Sequence, residues 1–284
     1  MNQQNEIDEI ISSAFREDIA SGDITTIATV SSEVPGKATF LVKDEEGIIA
    51  GLDVTERVFH LLDAELVFKA YTSNGSRVKK GEIIAEVTGR ASSILSAERT
   101  ALNFLQRMSG IASLAGKFAE AVKGTKAVII DTRKTVPGLR ITDKLAVTQG
   151  GCRNHRQGLF DMFLIKDNHI AASGSITKAV EACRNYMKEK NFTSKIEVEV
   201  TNLGQTKEAL ESKADIIMLD NFEVPLMKEA VAMIKGRALV EASGGVNLKT
   251  VRSIAETGVD FISVGALTHS VKALDISLNL IMNA

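Results

Sequence analysis

DIIMLDNFEVPLMKEAVAMIKGRALVEASGG, residues 215–245, contains two short apolar runs, DIIMLD (215–220) and ALVEAS (238–243), with room for a helix between them. A strand, a helix and a second strand in that order read as a βαβ unit, whose crossover makes the strands parallel. The rhythm continues on both sides, through AVIID (127–131), MFLI (162–165), KIEVEV (195–200) and FISVG (261–265). Each gap can hold a helix, so the pattern predicts a parallel α/β barrel. Six such runs fall short of the eight of a complete barrel, and the barrel is expected to be incomplete or small.

The residues before this rhythm are patterned differently. GKATFLV (36–42) and GIIA (47–50) read as strands around a KDEE turn, and 53–62 as a short helix. ELVFKA (65–70) and GEIIAEVTG (81–89) read as further strands, with a turn at Ser73-Asn74-Gly75. Residues 92–122 are mostly helical, with Ile94, Leu95, Leu102, Leu105 and Met108 at helical spacing and Gly110 as a break. RVKKGEIIAEVTG has the composition of a carrier-type hairpin, but no attachment motif surrounds its lysines, so it is read as structural.

Composition narrows the function. Of 284 residues, 44% are apolar and 25% charged, values of a globular chain that exclude disorder and collagen-like repeats. No apolar run approaches the ~18 residues of a membrane span, and MNQQNEIDEI has no apolar core of a signal peptide. Cys152 and Cys183 form no CxxC pair, so neither a disulfide framework nor a zinc site is expected, and a cytoplasmic setting is. A formal net charge of −2 argues against a nucleic-acid or membrane-surface binder. Yet residues 131–168 hold seven Lys and Arg against four Asp, a local excess of positive charge that suits an anionic small molecule.

In a parallel barrel all C-terminal strand ends lie on one face, where the site is built. Three sets of residues stand there. Ser243-Gly244-Gly245 and Val264-Gly265-Ala266 bring glycines before probable helices, as a phosphate cradle or an ordinary tight turn would. Glu199 and Asp220 can hold Mg²⁺ directly or through water, or bond sugar hydroxyls, or pair with a lysine. Arg133-Lys134 and Asn154-His155-Arg156 suit a planar dianion, which guanidinium forks grip well. His60, inside an apolar helix, reads as core. Cys152 lacks an evident activating base and is not expected to be a nucleophile. The HExxH, GxSxG and P-loop patterns are absent, which disfavours metalloprotease, serine hydrolase and nucleotide-loop readings.

EDIASGDITT (17–26), ERTALNFLQRMSGIAS (98–113), DTRKTVPGLR (131–140), GGCRNHRQGLFDMFLIKDNHI (150–170), MLDN (218–221) and EASGGV (241–246) together resemble quinolinate phosphoribosyltransferase, in colinear order over nearly the whole chain. Cys152 departs from the pattern, since many members carry glycine there. The resemblance implies an N-terminal α/β sandwich-like domain over 1–108, joined by about 269–284, and an incomplete α/β barrel over 109–268, usually of seven strands. It implies joining quinolinate to phosphoribosyl pyrophosphate with Mg²⁺, releasing pyrophosphate and CO₂ and giving nicotinate mononucleotide for NAD synthesis. It assigns Arg133, His155, Arg156, Lys166 and Arg99 of the partner subunit to quinolinate. Thr132 and Lys134 also fall to substrate, and Lys134 or Lys166 to protonation of the decarboxylated carbon. Glu199 and Asp220 would hold ribose hydroxyls and the metal, and Ser243, Gly244, Gly245, Val264, Gly265 and Ala266 the 5′-phosphate. Assembly as a homodimer or a hexamer of dimers is implied as well. Three other readings remain: a related pyrophosphorylase-like protein associated with molybdate transport, a nicotinate-specific phosphoribosyltransferase, and a barrel that senses the phosphoribosyl donor without turnover.

Overall fold

The structure, a computed structural model, describes residues 3–281. In chain order its elements are α1 (Gln3–Asp18), α2 (Ile24–Thr29), β1 (Pro35–Val42), β2 (Glu46–Ile48), α3 (Leu52–Leu62), β3 (Val67–Ala70), β4 (Arg77–Lys79), β5 (Ile83–Arg90) and α4 (Ala91–Ala121). There follow β6 (Val128–Ile130), α5 (Arg140–Gln149), β7 (Phe163–Ile165), α6 (Asp167–Ser173), α7 (Ile176–Lys190), β8 (Ile196–Val200), α8 (Leu203–Glu211) and β9 (Ile216–Asp220). The chain ends with α9 (Val224–Ile234), β10 (Leu239–Ser243), α10 (Val251–Ala255), β11 (Phe261–Ser263), α11 (Ala266–His269) and β12 (Ile276–Ile281). They form two compact units: 3–116 with 135–151 and 267–281, and 117–134 with 152–266. Among the described residues no helix is long and apolar enough to cross a membrane.

The first unit is built on an antiparallel sheet in the order β12-β1-β5-β3. Phe40 of β1, Phe59 of α3 and Phe68 of β3 meet with ring centroids about 6 Å apart, the spacing at which aromatic rings attract. The expected hairpin around KDEE does not form. Both edges of β1 are taken by β5 and β12, while β2 pairs with β4. Eight-residue β1 gains more hydrogen bonds and buried area from long partners than the three residues of β2 could provide. His60, expected in the core, is only half-buried, on the last turn of α3.

Nor does Gly110 break a helix. Helix α4 runs through it unbroken, burying Ile94, Leu105, Met108 and Ile111 completely. A Cβ at Gly110 would lie 2.2 Å from the Lys272 carbonyl oxygen, so the glycine is there to let two backbones meet. A deeply placed ion pair steadies the same unit: Arg107 grips Asp143 bidentately at 2.8 Å, and the aspartate is fully buried.

The second unit is a wholly parallel sheet, ordered β6-β11-β10-β9-β8-β7, with helices in the connections. All six runs expected to be strands are strands. The seventh that the resemblance implies is reduced, among the described residues, to a single bridge between Ile130 and Arg153. Arg153 donates to the Ile129 carbonyl and accepts from the Asp131 N–H, but the turn at 150–151 precedes it and 154–156 continue as irregular chain. One residue of ladder is all that remains.

Replacing Gly110 by alanine tests the close approach. Helix propensity favours alanine by about 1 kcal/mol, but a 2.2 Å overlap with a carbonyl costs more, about 1–3 kcal/mol in a packed interior. Thermal unfolding of Gly110→Ala should therefore show a lowered midpoint; a raised one would mean that the backbones can move apart freely.

Candidate active site

Strand register decides which side chains converge. Glu199 pairs with Met218 and Met218 with Glu241, while Asp220 pairs with Ser243. Glu197 pairs with Leu164, two residues before Lys166. Paired residues share a face of a sheet, and alternate residues return to it. Glu197, Glu199, Asp220, Glu241, Ser243 and Lys166 therefore belong to one face. Lys166, Glu199, Asp220 and Ser243, toward the C-terminal rim, are half-buried, whereas Glu197 and Glu241 are fully buried.

The rim is charged and partly open. The Lys166 ammonium donates to a carboxylate oxygen of Glu199. The Asn221 side-chain amide donates to Asp220 at 2.8 Å, and its backbone N–H donates to the Ser243 carbonyl at 2.9 Å. Gly244 sits over this asparagine with φ +94°, where a Cβ would come within 2.1 Å of Asn221 Oδ1. Only glycine fits both the conformation and the space. Val264, buried, donates its N–H to the Ile130 carbonyl at 2.9 Å, which commits that amide to the sheet, whereas Gly265 and Ala266 are half-exposed at the start of α11.

Two guanidinium groups complete the rim. The Thr132 hydroxyl accepts the Lys134 N–H at 3.0 Å, which turns the chain so that Arg133 is half-buried and Lys134 exposed. Arg133 Nε is buried and has no hydrogen-bond partner. Arg156 donates through Nη1 to the Met162 carbonyl at 3.1 Å. Burial, and then the neighbouring charge of Arg133, lower the pKa of Arg156. Asp161 braces the intervening loop by accepting the N–H groups of Gln157 and Gly158. Arg99 belongs to the first unit, exposed on α4.

Beneath the cations lies a buried cluster that the sequence reading did not anticipate. His155 donates its backbone N–H to Asp131 Oδ1 at 2.8 Å. Its ring Nδ1 accepts the Arg156 N–H at 2.7 Å, so Nε2 carries the proton, facing Glu197 Oε2 at 2.9 Å and Glu241 Oε2 at 3.5 Å. Both glutamates are essentially inaccessible, at 0% and 1% exposure, and the Oε1 of each has no partner. Burial, then the charge of Glu241, pushes the Glu197 carboxyl up to about 7. Burial works against a charged imidazole, but the two glutamates outweigh it and push His155 up to about 10. Both shifts describe a cluster that keeps an extra proton at neutral pH. Among the described residues this is the one group of three or more His, Cys, Asp or Glu side chains placed to share one ion.

Residues 111–279 match the family model for the C-terminal domain of quinolinate phosphoribosyl transferase, and residues 23–109 the model for its N-terminal domain. The chain belongs to the quinolinate phosphoribosyltransferase family. It is similar to a nicotinate-nucleotide pyrophosphorylase [carboxylating], chloroplastic, of Arabidopsis thaliana, with 47% identity over 95% of this chain and 82% of that protein. A probable nicotinate-nucleotide pyrophosphorylase [carboxylating] of Bacillus subtilis is 40% identical, over 98% of this chain and 94% of that protein. Among solved structures, NadC from Streptococcus pyogenes superposes with a TM-score of 0.92 at 40% identity, covering 98% of this chain and 97% of that one. The α/β barrel with its antiparallel companion unit is thus the fold of this phosphoribosyltransferase family.

His155, which the resemblance assigns to substrate, has partners inside the protein at both ring nitrogens. The signal for the missed glutamates lay in the strands themselves. A strand buried in a parallel sheet is normally apolar throughout, so an acid in mid-strand, as in IEVEV and LVEAS, marks a special position. Cys152 is buried, and burial, then the Asp131 charge, pushes its thiol up to about 12. A thiol so protonated is a poor nucleophile. Cys152→Ser should retain kcat within about threefold, and iodoacetamide at pH 7.5 should leave Cys152 of the native protein unmodified. Rapid, inactivating alkylation at Cys152 would contradict this account.

Proposed function

We propose that this chain joins quinolinate to phosphoribosyl pyrophosphate, releasing pyrophosphate and CO₂ and forming nicotinate mononucleotide in NAD biosynthesis. The observation that carries the reading is Arg133 Nε, a buried cationic donor without a protein partner, beside the guanidinium of Arg156 at the barrel rim. Two adjacent guanidinium groups repel each other, and a substrate with two adjacent carboxylates satisfies both. Neither nicotinate, with one carboxylate, nor a donor-sensing role would require the pair.

In this reading Arg133, Arg156 and Lys166 hold the pyridine dicarboxylate, with Arg99 of the partner subunit and Thr132 completing the clamp and His155 behind it. Glu199 and Asp220 hold the ribose hydroxyls, and Ser243, Gly244, Gly245, Gly265 and Ala266 receive the 5′-phosphate. Val264 contributes by holding that loop to β6. Holding the ring nitrogen against C1 of the ribose lets displacement proceed through an oxocarbenium-like state, for which positioning and electrostatics suffice. The nitrogen becomes cationic on ribosylation. CO₂ can then leave the neighbouring carbon, because the carbanion forms beside a positive charge, and Lys134 or Lys166 returns a proton.

Glu199 and Asp220 present only hard oxygen donors, which suit Mg²⁺ held by one or two carboxylates together with substrate phosphates. Because Lys166 already engages Glu199, direct coordination there would compete with an ion pair, whereas Asp220 is held only by a neutral amide. When bound, the ion offsets charge on the departing pyrophosphate. A homodimer, or a hexamer of dimers, belongs to the same proposal. Leu159 and Phe160 are 74% and 81% exposed, and Ile24 and Ile27 are 80% and 73%, which is apolar surface suited to a second copy. A cytoplasmic location fits the two free cysteines.

With quinolinate, phosphoribosyl pyrophosphate and Mg²⁺, CO₂ should appear one-for-one with nicotinate mononucleotide. Arg133→Ala should raise KM for quinolinate by at least about tenfold. Lys134→Ala should lower kcat more than it raises KM, as removal of a transition-state interaction does. Turnover of nicotinate in place of quinolinate, without CO₂, would shift the assignment to a different transferase.

A further inference from the structure

We propose that Glu197 and Glu241 are positioning residues for the dicarboxylate clamp, acting through His155 on the segments that carry Arg133 and Arg156. The inference rests on the reading of those arginines as the quinolinate clamp and adds two residues that touch no substrate in it.

The connections run through four contacts of one histidine. Glu197 Oε2 and Glu241 Oε2 face His155 Nε2 at 2.9 and 3.5 Å. Across the ring, Nδ1 accepts the Arg156 N–H at 2.7 Å, so the orientation of the imidazole fixes the backbone from which the Arg156 side chain departs. The His155 N–H donates to Asp131 Oδ1 at 2.8 Å, and Asp131 stands two residues before Arg133. One ring therefore ties the 131–133 segment to the 155–156 segment. It is anchored below by acids from two strands, β8 and β10, that are not neighbours in the sheet.

Charge points the same way. Arg133 and Arg156 repel each other, and Glu197 acts oppositely on Arg156, favouring its cationic form. A buried negative charge under two guanidinium groups keeps them together before an anionic substrate arrives. Removing it would let them spread, at the expense of substrate affinity rather than of the chemical step. A purely structural role explains this arrangement less well. A buried acid pair with two unpartnered oxygens is costly to the fold, and apolar residues of similar size would fill the same space more stably. A metal is the other occupant that a histidine and two glutamates could serve, but two guanidinium groups nearby oppose a further cation, and the Nε2 proton fills the position a metal would need.

The test uses Glu197→Gln and Glu241→Gln, which keep side-chain volume and remove charge. Each should raise KM for quinolinate and weaken its calorimetric Kd, measured without the phosphoribosyl donor, by about tenfold. KM for the donor and kcat should stay within about twofold. In a His155→Gln background the same substitutions should change quinolinate affinity less than about twofold, since their path to the arginines is already cut. Multiplicative effects in that background, or equal losses in both KM values and kcat, would overturn the proposal. Should the variants fold poorly, ¹⁵N NMR of the wild-type histidines decides. His155 is expected with Nε2 protonated and hydrogen-bonded throughout pH 6–8; an unprotonated Nε2 in that range would overturn it. So would elemental analysis finding stoichiometric transition metal that the two variants lack. Arg156→Ala separates the layers. If it leaves quinolinate affinity intact, the clamp reading itself fails; if it weakens affinity while the glutamine variants do not, only the positioning role fails.

Discussion

Two carboxylates placed where water cannot reach them must be neutralised or paired. In this barrel that requirement falls on one histidine. An ionised acid in a protein interior is costly unless hydrogen-bonded and compensated. Glu197 and Glu241 both face His155 Nε2. The backbone N–H and Nδ1 of His155 engage Asp131 and Arg156. Pieces of chain brought together from β8, β10, the end of β6 and the 153–156 segment thereby meet at one ring.

The rim follows from that floor. Cations stand above a pair of buried acids, and an acid stands beside Lys166, so opposite charges lie in adjoining layers. Lys166 and Glu199 satisfy each other at the rim, while Arg133 retains a buried donor with no protein acceptor. A site whose last unmet donor is cationic is suited to a small polyanion. Its rigid parts, the Gly244–Asn221 contact and the Val264–Ile130 hydrogen bond, lie on the loops to which we assign the phosphate. Positioning and charge are what a phosphoribosyl transfer needs most, because the leaving group and the oxocarbenium-like centre demand little covalent help.

Much of the arrangement was legible in the residues. Short β-branched runs spaced by helix-sized gaps predict a parallel barrel, and all six of those runs are strands. The rim residues were legible too, because a polar residue directly after an apolar run marks a strand end. Other features were not. GKATFLV and GIIA alternate as a hairpin should, but pairing depends on which distant strand offers the longer ladder, and local sequence does not carry that information. Gly110 reads as a helix break because glycine usually weakens a helix; its reason is a carbonyl 162 residues further along the chain. The seventh strand shrinks to Arg153 because a turn at 150–151 precedes it and the chain beyond it leaves the ladder.

By itself the sequence determined the parallel α/β class, the family and the identity of the rim residues, because periodicity, strand-end chemistry and the NHR and TRK motifs are local properties. Tertiary structure alone decided the floor. Glu197 and Glu241 lie 44 residues apart in the chain, and His155 lies another 42 before the first of them. Only the curl of a sheet, which turns alternate residues of several strands toward one interior, can set their polar atoms within hydrogen-bonding reach of one another.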